Sequence, residues 1–253
     1  MGRVGIVDQL RAAGCVFAEE EARLLTEAAG SEAELAKLVA RRVSGTPLEY
    51  VVGWAEFRGL RVRVWPGVFV PRRRTAFLVE LAAAARPVTV LDLCCGSGAL
   101  GLALVREVPG VELVASDIDP VAVDCARVNL EAVGAQVYRG DLFESLPVTL
   151  RGRVDVLLAN VPYVPTEDIV EMPPEAREHE PRGTLDGGPD GLDMLRRVAD
   201  GVLDWLAPGG MLLIEISAAQ AESAVAELTR RGLAAAIAES EEYDATAVVG
   251  VRR

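Results

Sequence analysis

Apolar residues recur at helical spacing between residues 7 and 43, at Leu10, Val16, Leu24, Leu25, Leu35, Leu38 and Val39, with Gly14, Gly30 and Ser31 as breaks. That spacing predicts two or three short helices, a small helical unit over 1–45. From Thr46 the pattern shortens to β-type runs around Phe57-Arg58-Gly59-Leu60 and over 61–64, which predicts a hairpin linker over 46–70. Over 71–253 strand-like apolar runs at 88–93, 112–116, 136–139, 155–159 and 211–216 alternate with helical stretches such as 99–106 and 121–133. Alternation of this kind makes a doubly wound α/β sheet, and unbroken apolar runs read as parallel strands covered on both faces. The final runs, 234–238 and 245–251, are separated only by an acidic turn at Glu241, Glu242 and Tyr243. No crossover helix fits there, so the last strand is expected to run antiparallel to its neighbour.

Composition narrows the class. A chain of 253 residues, 51% of them hydrophobic, can bury the core of one sizeable α/β domain with a small appendage, but not two full domains. No apolar run is long enough for a membrane span, and residues 1–10 carry Arg3, Asp8 and Gln9 where a secretion signal would need an unbroken apolar stretch. A cytoplasmic location is expected. Cys15, Cys94, Cys95 and Cys125 lack metal-site spacing, so they read as reduced thiols and no metal is expected. The net charge of −12 argues against direct nucleic-acid binding, although 37–74 holds nine basic residues against Glu49 and Glu56.

Candidate chemistry lies at the ends of the predicted strands. Asp92-Leu93-Cys94-Cys95-Gly96-Ser97-Gly98-Ala99-Leu100-Gly101 passes from a buried strand into a helix, so a ligand can approach the backbone at Gly96 and Gly98 closely. Taken alone the glycines also match the dinucleotide fingerprint. Asp117, ending the next strand before Ile118, can accept from both hydroxyls of a ribose, while Asp119 before Pro120 reads as a helix cap. After the third strand, Asp141 can accept from an adenine amino group and Leu142 can cover the ring. A doubly wound sheet with a terminal antiparallel strand is the shape expected of class I S-adenosylmethionine-dependent methyltransferases, with a Rossmann-like sheet, whereas nicotinamide-binding sheets usually stay parallel.

The fourth strand of this set ends in Asn160-Val161-Pro162-Tyr163, beside the switch point where ligands sit in such sheets. The tetrapeptide resembles the Asn-Pro-Pro-Tyr signature of methyltransferases acting on amide or amino nitrogens. Its flanks narrow the resemblance: Gly45-Thr46-Pro47-Leu48-Glu49-Tyr50, Gly53-Trp54-Ala55-Glu56-Phe57-Arg58-Gly59-Leu60, Pro66-Gly67-Val68-Phe69-Val70-Pro71-Arg72, Glu180-Pro181-Arg182 and Leu185-Asp186-Gly187-Gly188-Pro189-Asp190-Gly191-Leu192. Together they are similar to the protein-(glutamine-N(5)) methyltransferases that modify peptide chain release factors. The resemblance implies a pocket for S-adenosylmethionine, with S-adenosylhomocysteine as product, taking in Asp92, Cys94, Gly96, Gly98, Asp117, Ile118, Asp141, Leu142 and Asn160. It implies Asn160, Pro162 and Tyr163 as catalytic residues, and Phe69, Asn160, Val161, Pro162 and Tyr163 around the acceptor.

The chemistry accounts for those residue types. An amide nitrogen is a weak nucleophile. If its N–H groups donate to the Asn160 oxygen and to the carbonyl of Val161 or Pro162, the nitrogen is held in line and its developing positive charge is stabilised. Tyr163 and Phe69 would flank the acceptor and the sulfonium. His179, between two glutamates, reads as structural, the loop over 167–189 reads as a lid, and Gly187, Gly188 and Gly191 read as tight turns. The family has proline where this chain has Val161, usually has Pro-Glu-Thr-Glu where this chain has Arg73-Arg74-Thr75-Ala76, and has a helical unit about twice as long. Those departures lie where a protein acceptor would be gripped and fit a paralogue acting on another glutamine. Other readings are methylation of an adenine amino group, a nicotinamide-dependent dehydrogenase, and a catalytically silent binder of the methyl donor.

Overall fold

The computed structural model describes residues 3–253; Met1 and Gly2, the start of the predicted helical unit, lie outside the described residues. Four helices come first: α1 (Arg3–Ala12), α2 (Ala18–Ala28), α3 (Glu32–Val43) and the single-turn α4 (Leu48–Val52). They close over Ile6, Leu10, Ala22, Leu25 and Val39, each at most 2% exposed. Ser31, read as a break, is the cap of α3, its side chain accepting the Glu34 N–H. A hairpin follows, β1 (Trp54–Phe57) paired with β2 (Leu60–Arg63). Its turn is Arg58-Gly59, with φ of 50° and 74°. Two left-handed residues in succession make a type I′ turn, whose twist matches the strands it joins. The centre of the Phe57 to Leu60 run is therefore turn rather than strand.

The rest of the chain alternates α5 (Ala76–Ala84), β3 (Thr89–Leu93), α6 (Ala99–Glu107), β4 (Glu112–Asp117), α7 (Pro120–Leu130), β5 (Gln136–Arg139), β6 (Val154–Ala159), α8 (Pro174–His179), α9 (Asp193–Gly201), β7 (Leu206–Ile216), α10 (Ala221–Arg230), β8 (Leu233–Ser240) and β9 (Ala245–Arg252). Seven strands form one sheet in the order β5-β4-β3-β6-β7-β9-β8. Helices cover both faces, with Leu78, Leu104 and Leu130 of α5–α7 buried on one and Leu195, Val198 and Leu228 of α9 and α10 on the other. This is the class I methyltransferase fold, as the strand pattern predicted. The antiparallel strand is β9, last in the chain but seated between β7 and β8. From β3 the chain builds outward through β4 and β5, then returns to place β6 on the other side of β3. Reversal of direction there opens a crevice at the carboxyl ends of β3 and β6. No described helix is long and apolar enough to cross a membrane.

Candidate active site

A cleft of about 800 Å³ occupies that crevice. The turn after β3 forms its floor: Cys94 (φ 56°) and Gly96 (φ 53°) are both left-handed, which swings the chain away from the strand axis. A Cβ added at Gly96 would meet no atom within 4 Å, so the space beside it belongs to the cleft. Gly98 is different. It does not line the cleft, and a Cβ there would press on Leu130 at 3.0 Å, so this glycine lets α6 pack against α7. Asp92 is 1% exposed beneath the turn, and its Oδ2 accepts the Gly101 N–H at 2.9 Å. Burial lifts its carboxyl to about 7.

Asp117 ends β4 on the cleft wall. Its Oδ2 accepts the Gly96 N–H and its Oδ1 the Asp119 N–H, both at 2.9 Å, so one carboxylate ties the β3 turn to the start of α7. Burial raises its pKa, while those two N–H groups pull it back. Asp119 is the α7 cap expected from Pro120, accepting the Val121 N–H. Ile118 lines the cleft and is 61% exposed, an apolar face that a flat ring would cover. Leu142 (φ 49°) lines the cleft as well. Asp141 lines it too, but its Oδ2 accepts from Arg197 of α9 at 2.7 Å. Sequence reasoning missed this arginine, because a basic residue on an amphipathic helix looks like part of a solvated face.

At the chemical end, β6 runs beside β3 and β7 and delivers Asn160, Val161, Pro162 and Tyr163 into the cleft. The Asn160 side chain is hydrogen-bonded to none of the described residues, whereas its neighbours are firmly held. The Tyr163 hydroxyl donates to Glu215 Oε1 at 2.8 Å, and the Tyr163 carbonyl accepts from Gln220 Nε2 at 2.8 Å. The loop from 185 to 192 wraps the same backbone: the Val164 N–H donates to Leu185 O, and the Gly187 N–H to Val164 O. A methyl on Gly191 (φ 74°) would overlap Tyr163 O, and one on Gly187 would lie 2.8 Å from Pro162 O. Of the three glycines read as tight turns, Gly187 and Gly191 are thus also where one backbone lies against another, while a Cβ on Gly188 (φ 88°) would meet the Asp193 side chain. Glu215 and Gln220 escaped the sequence reading, although a glutamate inside the apolar run Leu212-Leu213-Ile214-Glu215-Ile216 is a visible signal.

Phe69 also lines the cleft, with the Arg72 guanidinium 5.1 Å from its ring centre. Arg72 is itself paired with Glu180, a buried carboxylate that also accepts the Val70 N–H and so pins the segment after α8 to the stretch that carries Phe69. Arg42 pairs with Glu21 of α2 and Glu175 of α8, and Arg58 with Glu107. Arg74 lies 3.8 Å from Asp244, so four of the nine basic residues of that stretch, Arg42, Arg58, Arg72 and Arg74, are ion-paired within the fold. His179 sits at the end of α8 near Gly45 and does not line the cleft. Among the described residues no cluster of His, Cys, Asp and Glu could hold a metal ion, and the four cysteines are unpaired.

The donor set fits the expected cofactor: an open glycine turn, a ribose-competent carboxylate, exposed apolar side chains and acidic residues suited to a cationic ligand. Fold and cleft together define a class I S-adenosylmethionine-dependent methyltransferase. Residues 59–173 match the family model described as "Methyltransferase small domain". The chain is 39% identical over 219 residues to the release factor glutamine methyltransferase of Geobacter sulfurreducens, covering 85% of this chain and 76% of that protein. It is 34% identical over 267 residues, 90% of each chain, to the release factor glutamine methyltransferase of Bifidobacterium longum. A methyltransferase from Pyrococcus furiosus superposes with a TM-score of 0.58 at 15% identity over 78% of this chain and 90% of its own, a likeness of fold. The chain belongs to the release factor glutamine methyltransferase family.

Proposed function

We propose that this protein transfers a methyl group from S-adenosylmethionine to the side-chain amide nitrogen of a glutamine on a peptide chain release factor. The observation that carries the reading is Asn160, which lines the cleft with no side-chain hydrogen bond to any of the described residues, one residue past a buried strand and level with the start of the turn after β3. Asp117 would hold the ribose, Ile118 and Leu142 the adenine faces, and Asp141 with Arg197 the adenine edge. Asp92, from below, keeps the turn through Gly101. Cys94, Gly96 and Asn160 would border the remainder of the cofactor, and Gly98 would act by packing. When bound, the cofactor supplies a methyl carbon made electrophilic by the sulfonium, whose C–S electron pair stays on sulfur as the N–C bond forms.

The chain's own residues orient the acceptor. Asn160 Oδ1 and the carbonyl of Val161 or Pro162 would each accept one N–H of the glutamine amide, fixing the nitrogen and stabilising the positive charge it gains. Replacing the family's proline by Val161 leaves these acceptors in place. Tyr163 and Phe69 would flank the amide plane. No side chain is required as a base before transfer, because the cationic nitrogen formed when the methyl is added, still carrying both its hydrogens, is acidic enough to lose one of them to water and leave the neutral N-methyl amide. A cytoplasmic place of work belongs to the same proposal. The test is incubation with tritiated S-adenosylmethionine and a release factor, followed by tryptic mass spectrometry. A single methyl on one glutamine is expected; cofactor binding with no transfer to the release factor or to lysate proteins would leave only a binding module.

A further inference from the structure

We propose that Glu215 is a positioning residue for methyl transfer, acting through the hydroxyl of Tyr163 to fix the aromatic wall of the acceptor site. The inference rests on the glutamine-methylation reading above. Glu215 stands near the end of β7, one residue past Ile214, which pairs with Ala159, so it is level with Asn160 on the neighbouring strand. It is 3% exposed, in a strand whose other buried residues are apolar. A carboxylate taken out of water costs several kcal/mol unless its oxygens are satisfied. Here Oε1 accepts from the Tyr163 hydroxyl at 2.8 Å, and Oε2 has no hydrogen-bond partner among the described residues. The Thr75 hydroxyl, likewise buried and unbonded, faces the same carboxylate without closing a hydrogen bond of ordinary geometry.

A residue kept only for packing would not be a half-satisfied acid. Its surroundings point instead to Tyr163. Arg74, from the segment in which the sequence departs from its family, faces both the Tyr163 hydroxyl and Glu215 and supplies a compensating cation. Gln220, 6% exposed, holds the carbonyl of the same tyrosine, with its own amide oxygen fixed by the Ser217 N–H. Tyr163 is thus gripped at hydroxyl and backbone by side chains from one corner, the end of β7 and the start of α10. With both ends fixed, the ring keeps one plane, and the acceptor amide must lie along it. Without Glu215 the hydroxyl is free to swing, and fewer bound acceptors are aligned for transfer.

The experiment is a double-mutant cycle on the full chain with a release factor as acceptor, using Glu215→Gln, Tyr163→Phe and the pair. Glu215→Gln and Tyr163→Phe should each lower kcat on the order of ten- to a hundred-fold, the loss of one charge-assisted hydrogen bond, with KM for S-adenosylmethionine changed less than about two-fold. The double variant should be no slower than the slower single. Independent losses that multiply in the pair, or wild-type kcat in Glu215→Gln, overturn the inference. A second readout needs no turnover: with ¹³Cζ-tyrosine labelling, the Tyr163 resonance, assigned by its loss in Tyr163→Phe, should move in Glu215→Gln, and a fixed resonance also overturns the inference. If Glu215→Gln does not fold, wild-type kcat in Tyr163→Phe does the same. A wild-type protein that methylates nothing ends the reading of the previous subsection instead, so the two failures are told apart.

Discussion

Asp117→Ala should weaken S-adenosylmethionine binding by about 10- to 150-fold. The magnitude follows from what the carboxylate already does. Each oxygen accepts one backbone N–H, from Gly96 and from Asp119, at 2.9 Å. One acceptor direction therefore remains on each oxygen for a ribose hydroxyl. A hydrogen bond to a charged group is worth about 1.5–3 kcal/mol, and one such loss, at 1.4 kcal/mol per decade, gives that range. Losing the second hydroxyl contact and loosening the Gly96 turn would push the effect toward the upper limit. Asp117→Asn is the sharper variant, since its NH₂ must confront either the Gly96 or the Asp119 N–H and so sacrifices one tie while keeping the shape. Isothermal titration of both variants reads the dissociation constant directly. An unchanged value for Asp117→Ala would remove Asp117 from the cofactor site and with it the orientation assigned to the whole cleft.

The buried Asp92 gives a pH dependence. Its carboxyl sits at about 7 in the folded state against an unperturbed 3.8, so the folded protein binds this proton more tightly and stability is lost as pH rises from about 4 to 7. Asp92→Asn should thus stabilise the protein increasingly over that window, by up to ~4 kcal/mol at the top, in urea unfolding; a difference that stays flat with pH would contradict it. Gly191→Ala places a methyl against Tyr163 O and Gln220 Nε2 at a left-handed φ, for a cost of about 2–5 kcal/mol from strain and overpacking. Its unfolding midpoint should fall and methyl transfer should drop even where the variant is fully folded, whereas wild-type stability and rate would mean the loop does not buttress the tetrapeptide.

Much of this architecture is legible in local pattern. The parallel strands announce themselves as apolar runs, and the short acidic turn before β9 fixes its direction, because no crossover can be made in so few residues. Strand order is not local, and so the seat of β9 between β7 and β8 had no signal in the chain. The cleft-lining positions at the ends of β3, β4 and β6 were readable for the same reason the strands were: polar residues that terminate buried runs have few other places to go. Contacts made by distant segments were not. Arg197 reaches Asp141 across 56 positions, and Tyr163 meets Glu215 across 52, and nothing in either neighbourhood names the other. Gly98 shows the limit of a motif, since its spacing matches a ligand-binding turn although its lost side chain makes room for Leu130.

The role of Asn160 is tested most directly by Asn160→Ala in single-turnover transfer to a release factor, with the cofactor dissociation constant measured on the same sample. We expect methyl transfer to fall below detection while cofactor affinity changes little, since Asp117, Ile118 and Leu142 are untouched. A variant that retains half the wild-type rate would place the acceptor amide somewhere other than the turn that closes β6.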